Sequence, residues 1–116
     1  MKEDNLVVEK SKAFAIRIIR LYQHLSSEKK EFVISKQILK SGTSIGANVR
    51  EAARAQSKPD FVSKMQIALK EASETEYWIE LLQETDYISE KAGLSLIADC
   101  KELLKVITAI IKTAKE

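Results

Sequence analysis

The sequence predicts an all-α protein, an antiparallel up-down-up-down four-helix bundle forming one domain over residues 1–116. Three observations lead there. The chain has only three Gly and one Pro, too few turn formers for a sandwich or barrel, which needs a turn every ~8–12 residues. Four long segments repeat their apolar residues at helical spacing. The breaks between them are short, and short links between long helices make neighbours antiparallel.

The first segment runs from about Asp4 to Leu25. Val7, Phe14, Ile18, Leu21 and Leu25 step by seven, four, three and four along one stripe, which Ile16, Ile19 and Tyr22 widen. Ser26-Ser27-Glu28 reads as the break, with a serine capping the next helix and Glu28 at its positive end. The second segment, about Glu28 to Ala55, buries Ile34, Ile38, Ile45, Val49 and Ala52. Ser41 to Asn48 inside it is poor in helix formers. The apolar residues nevertheless keep phase across it, so one unbroken helix is expected. Gly42 and Gly46 then lie four apart and form a groove for a close helix, which must offset on the order of 1 kcal/mol per Gly.

Pro59 breaks the chain after Gln56-Ser57-Lys58 and suits the first turn of a third helix, about Pro59 to Glu84. There Phe61, Met65, Ala68, Ala72, Thr75, Ile79 and Leu82 alternate steps of four and three, the repeat of left-handed helix packing. The fourth helix, about Ser89 to Lys115, carries Leu96, Cys100, Leu103, Ile107 and Ile110, broadened by Ile97, Leu104 and Ile111. Gly93 near its start blurs the boundary.

Chemistry is sparse. One Cys and one His exclude a disulfide framework and an all-Cys/His zinc site. The Glu-x-x-His pairs of di-iron bundles are missing, and His24 stands alone near a helix end. Cys100 falls on the apolar stripe and reads as core. The expectation is a protein without catalytic residues, metal or cofactor. No apolar run is long enough to span a membrane, and Met-Lys-Glu-Asp-Asn starts no secretory leader. A cytoplasmic protein is expected.

Charge is more informative. Residues 1–70 carry 14 Lys/Arg against 7 Asp/Glu, whereas residues 71–116 carry 5 against 10. Such polarity suits either a polyanion or faces that pair within or between subunits. On a helical wheel Lys36, Lys40, Arg50 and Arg54 fall within about 80°, opposite the apolar side. Lys10, Arg17, Arg20 and His24 cluster on the first helix, and two parallel rows of cations can track a phosphate backbone. No aromatic platform interleaves them, so binding would be electrostatic and weakly sequence-specific. Glu74, Glu76, Glu80, Glu84 and Asp86 make an acidic end that invites a cation. Of adjacent Tyr77 and Trp78, one must leave the core, and with the glycine groove this points to self-association.

The run Ser41 to Ala52, SGTSIGANVREA, together with Phe61 to Leu82, FVSKMQIALKEASETEYWIELL, resembles a bacterial family, the four-helix-bundle proteins of the 23S rRNA intervening sequence. Many relatives have Pro after the Ser-Ile pair and Gly after the Glu, where this chain has Gly46 and Ala52. The resemblance implies a cytoplasmic homo-oligomer, with a pentamer favoured. It also implies kinship with the accessory protein of diversity-generating retroelements, a basic pentamer associated with nucleic acid and a reverse transcriptase. Ser44, Asn48 and Glu51 match the family's polar motif and, with Gly42 and Gly46, are read as structural, bonding between helices.

The expected function is thus a non-enzymatic, oligomeric protein that contacts structured RNA, or DNA, through Lys36, Lys40, Arg50 and Arg54, supported by Arg17 and Arg20. The alternative is a protein–protein adaptor or scaffold whose charged faces drive assembly.

Overall fold

The computed structural model describes residues 2–116, with side chains from Asn5 onward. Four helices, α1 (Lys2–Ser27), α2 (Ile34–Ala53), α3 (Lys58–Glu84) and α4 (Glu90–Lys115), form an elongated bundle of 44 × 21 × 18 Å. The described residues contain no strand. α1 packs on α2, α2 on α3, α3 on α4, and α4 returns to α1, so α2 and α4 lie across a diagonal with the shared core between them.

The expected apolar stripes build the core. Val7, Phe14, Ile18, Leu21 and Leu25 of α1 are buried against Ile38, Ile45, Val49 and Ala52 of α2 and the α3 and α4 stripes. Each fully buried Ile, Leu or Phe contributes roughly 1.5–3 kcal/mol. Two residues assigned to the α1 stripe belong elsewhere: Ile16 is 49% and Ile19 39% exposed. Their positions point away from the buried face, and neither neighbouring helix reaches around to cover them.

Gly42 explains why a helix tolerates glycine here. A Cβ on it would lie 2.7 Å from Cγ1 and 2.8 Å from Cγ2 of fully buried Ile18. Gly46 faces the backbone of Ser11, with its nearest atom at 3.4 Å from such a Cβ. The close helix expected at the two glycines is α1 of the same chain, so Gly42 is not left to a second subunit. Within the core the Thr75 and Ser41 hydroxyls lie 2.8 Å apart between α3 and α2, and Thr75 also reaches the Glu71 carbonyl at 2.8 Å.

The first connection differs from expectation. Ser26 and Ser27 remain in α1, their hydroxyls donating to the carbonyls of Tyr22 and Gln23, and Glu28 pairs with His24. The link is residues 28–33, turned by Lys30 in the left-handed region at φ 55. Glu31 then caps α2. Its carboxylate accepts from the backbone N–H of Ser35 at 2.7 Å, Ile34 at 3.0 Å and Val33 at 3.2 Å, while the Ser35 hydroxyl donates to the Glu31 carbonyl at 2.7 Å. Partial burial pulls the Glu31 pKa upward, but these hydrogen bonds outweigh it together and hold the carboxyl below its usual value.

Because the folded pKa is depressed, the cap stabilises above the unfolded value and fades as pH falls through the folded one. Glu31→Ala should cost about 1 kcal/mol near neutral pH. Chemical denaturation of both proteins should show that difference shrinking below pH ~4.

Ser57 caps α3 by accepting from the Asp60 N–H at 3.2 Å, with Pro59 in the first turn. Ser89 caps α4 by accepting from the Ala92 N–H at 3.1 Å, and α4 continues through Gly93. Cys100 is buried, and its thiol donates to the Ala72 carbonyl at 3.2 Å. Burial, aided by the Glu76 and Asp99 carboxylates, pushes the thiol from 9.0 up to about 12. Native protein at pH 8 should resist thiol-directed labelling until denaturant unfolds it. Stability should decline above pH ~9, because the unfolded thiol ionises before the folded one.

Candidate nucleic-acid interface

Continuity of α2 sets the geometry of the basic row. Ile38, Ile45, Val49 and Ala52 anchor one side of the helix in the core. The Thr43 and Ser44 hydroxyls bond back to the carbonyls of Leu39 at 2.7 Å and Lys40 at 2.6 Å, so these weak helix formers are satisfied within the helix. Lys36, Lys40 and Arg50 are exposed on the opposite side, and exposed Arg54 is the C-cap. The positive charges of Arg50 and Arg54 also suit the helix C-terminus. Among the described residues no carboxylate pairs with any of the four.

The Arg50–Arg54 end of the row borders a groove of about 750 Å³ running over α2 between α1 and α3. Lys12 of α1 and Lys64 of α3 line it with Arg50 and Arg54, while Gly46 and Ala47 keep its floor low. Lys64 pairs with Glu51 at 3.3 Å, so Lys12, Arg50 and Arg54 are the cations left to a ligand. Lys12 and Lys64 were missed by sequence reasoning. The signal for Lys12 was its spacing from Val8 and Ala15, which puts all three on the α1 flank turned to α2.

The α1 row is placed differently. Arg17 donates to Asp99 at 2.7 Å and to the Ser95 hydroxyl at 3.2 Å, and Lys10 reaches Glu102 at 2.6 Å, so both lean onto α4. Exposed Arg20 bonds to Gln23 at 3.3 Å. Arg17, Arg20 and His24 line a second cavity, of about 950 Å³, beside Asp86 and Glu90. The two basic rows therefore do not run side by side, because α1 lies between α2 and α4 and turns its row towards α4. Part of the charge polarity along the sequence is spent within the chain, on the α1–α4 seam.

The polar motif also behaves differently from its reading. Ser44 bonds to Lys40, and the Asn48 amide donates to the Ser44 carbonyl at 2.8 Å, both inside α2. Only Glu51 reaches another helix, through Lys64. Of the aromatic pair on α3, Tyr77 is 54% exposed. Trp78 packs against the core and donates its indole N–H to Glu74 at 3.1 Å.

A family model described as the 23S rRNA-intervening sequence protein matches residues 3–109. The chain belongs to that family. Among solved structures, this 23S rRNA-intervening sequence family member is similar to a protein of unknown function of the S23 ribosomal protein family from Bacteroides thetaiotaomicron VPI-5482. The two are 57% identical with a TM-score of 0.94, over 95% of this chain and 98% of the other. No curated protein matches. Among the described residues, no helix of this family member is long and apolar enough to cross a membrane.

Proposed function

We propose that this family member is a non-enzymatic, nucleic-acid-associated protein that holds structured RNA by its phosphates. The observation that carries the reading is the row of Lys36, Lys40, Arg50 and Arg54, exposed on one rigid helix beside a groove that adds Lys12. Cations on a preformed helix bind phosphates without the cost of ordering the backbone, and arginine can fork onto two phosphate oxygens. Membership in the 23S rRNA-intervening sequence family supports an RNA setting for that chemistry. Duplex DNA offers the same phosphates, and the absence of stacking aromatics along the row favours duplex or folded ligands over single strands. The working form in this reading is a homo-oligomer, with a pentamer favoured, in which repeated rows add avidity.

The test is a fluorescence-anisotropy titration against a structured RNA and a DNA duplex at about 50 and 200 mM salt. Affinity should fall steeply with salt, because binding releases condensed counterions. Absence of binding at the lower salt would remove the reading. An adaptor function is the second reading. It draws on exposed Tyr77, which lines a shallow groove with Leu69, Lys70 and Leu104, and on the accessory-protein resemblance, which suggests a protein partner such as a reverse transcriptase.

A further inference from the structure

We infer that the outward face of α4 is a second phosphate-binding surface, so that one bundle joins two nucleic-acid segments. The inference rests on the proposed RNA reading and adds a site to it. Residues 71–116 are acidic as a whole, but most of those acids lie on α3 and the turn after it, and α4 carries five Lys against three Asp/Glu. The fold sorts those charges by face. Asp99 and Glu102 turn to α1, where Arg17 and Lys10 engage them. Lys101, Lys105 and Lys112 are left exposed on the outer side, within about 40° of one another on the wheel. Among the described residues none of the three meets a carboxylate.

Ala98, Thr108 and Ala109, small and exposed on the same side, let a phosphate backbone approach the lysines closely, with exposed Leu94 at the N-terminal end of the face. The lysines rise about 6 and about 10 Å along the axis at 1.5 Å per residue, a span that one strand can follow. A lipid surface fits less well. A helix lying in a membrane needs its apolar face free, and that of α4 is buried in the core.

The diagonal arrangement gives the face its consequence. The backbones of α2 and α4 do not approach each other closely, and their outer sides point in opposite directions across a body 21 × 18 Å in section. A backbone lying along the α2 row cannot also reach the α4 lysines without wrapping the bundle. Each face therefore takes its own segment.

The experiment uses one structured RNA immobilised on beads and a second, fluorescent copy in solution, with direct binding to the free RNA measured in parallel by anisotropy. Wild-type protein is expected to bring the fluorescent RNA to the beads. The variant K101Q/K105Q/K112Q should bind free RNA within about threefold of wild type yet capture about half as much or less, any remainder coming from α2 rows of other copies in the oligomer. These lysines are exposed, and a matching thermal melt would verify that the bundle is intact. Capture by the variant equal to wild type would overturn the inference, because bridging would then come from α2 faces of separate copies. Wild-type binding without any capture would overturn it too, while leaving the RNA reading standing. Failure of the wild type to bind RNA at all would end both. Retention on phosphatidylserine vesicles that depends on the three lysines, without RNA capture, would assign the face to a membrane instead.

Discussion

Replacing Arg50 and Arg54 together by Glu should weaken RNA binding roughly 100-fold at ~50 mM salt, about 2.7 kcal/mol. Each arginine stands for one charge-assisted contact, a class worth ~1.5–3 kcal/mol when lost. The reversed charges also repel neighbouring phosphates. The salt dependence should flatten at the same time, the slope of log affinity against log salt shrinking by about 2 on a duplex. Both residues sit at the C-terminal end of α2, where losing a cation costs ~0.3–1 kcal/mol of stability. R50Q/R54Q, which introduces no repulsion, therefore accompanies the reversal. Light scattering separates the two functional readings. An oligomer of unchanged mass that no longer binds RNA supports the phosphate role. Dissociation into smaller species would instead assign these arginines to assembly, as the adaptor reading requires.

Two glycines four residues apart should respond to alanine in opposite directions. At Gly42 the new Cβ would come within 2.8 Å of both γ carbons of Ile18 and 3.1 Å of its Cβ. Ile18 is β-branched and fully buried, so relief requires α1 and α2 to move apart. Overpacking of that kind costs ~1–3 kcal/mol and exceeds the gain of ~1 kcal/mol in helix propensity. At Gly46 the nearest atom is 3.4 Å away, an ordinary contact, so the propensity gain survives. Gly42→Ala should lower stability by up to about 2 kcal/mol, and Gly46→Ala should raise it by up to ~1 kcal/mol. Urea denaturation of the two single variants checks both signs, and equal destabilisation would mean that α1 lies equally close to both glycines.

The apolar periods of all four helices were legible because each core stripe is written within a single segment. The unbroken α2 was legible for the same reason: Ile38, Ile45, Val49 and Ala52 hold phase across the weak stretch. Features that depend on a neighbouring element were not legible. Ser26 and Ser27 look like caps in sequence, but Tyr22 and Gln23 offer them carbonyls one turn back, and the cap comes from the side chain of Glu31. The basic residues of α1 read as one face until α4 supplies Asp99 and Glu102 as partners. Lys12 joins the candidate site only once α1 is laid beside α2. The lysine face of α4 stayed hidden because the charge sum over residues 71–116 pools the acidic half of α3 with α4, which alone carries five Lys against three Asp/Glu.

The hydroxyl pair of Ser41 and Thr75 bears on how the helices are aligned lengthwise. A seam of Ala and Ile offers similar surfaces every turn, so α3 could in principle slide along α2 by one step of about 5.4 Å. Such slippage would separate the two hydroxyls, at a net ~0.5–1.5 kcal/mol for the lost hydrogen bond, leaving Ser41 its contact with the Ile38 carbonyl and Thr75 its bond to the Glu71 carbonyl. That penalty acts like a notch on a ratchet. It fixes where α2 stops along its neighbour, and so fixes the height at which the cations of that helix are displayed.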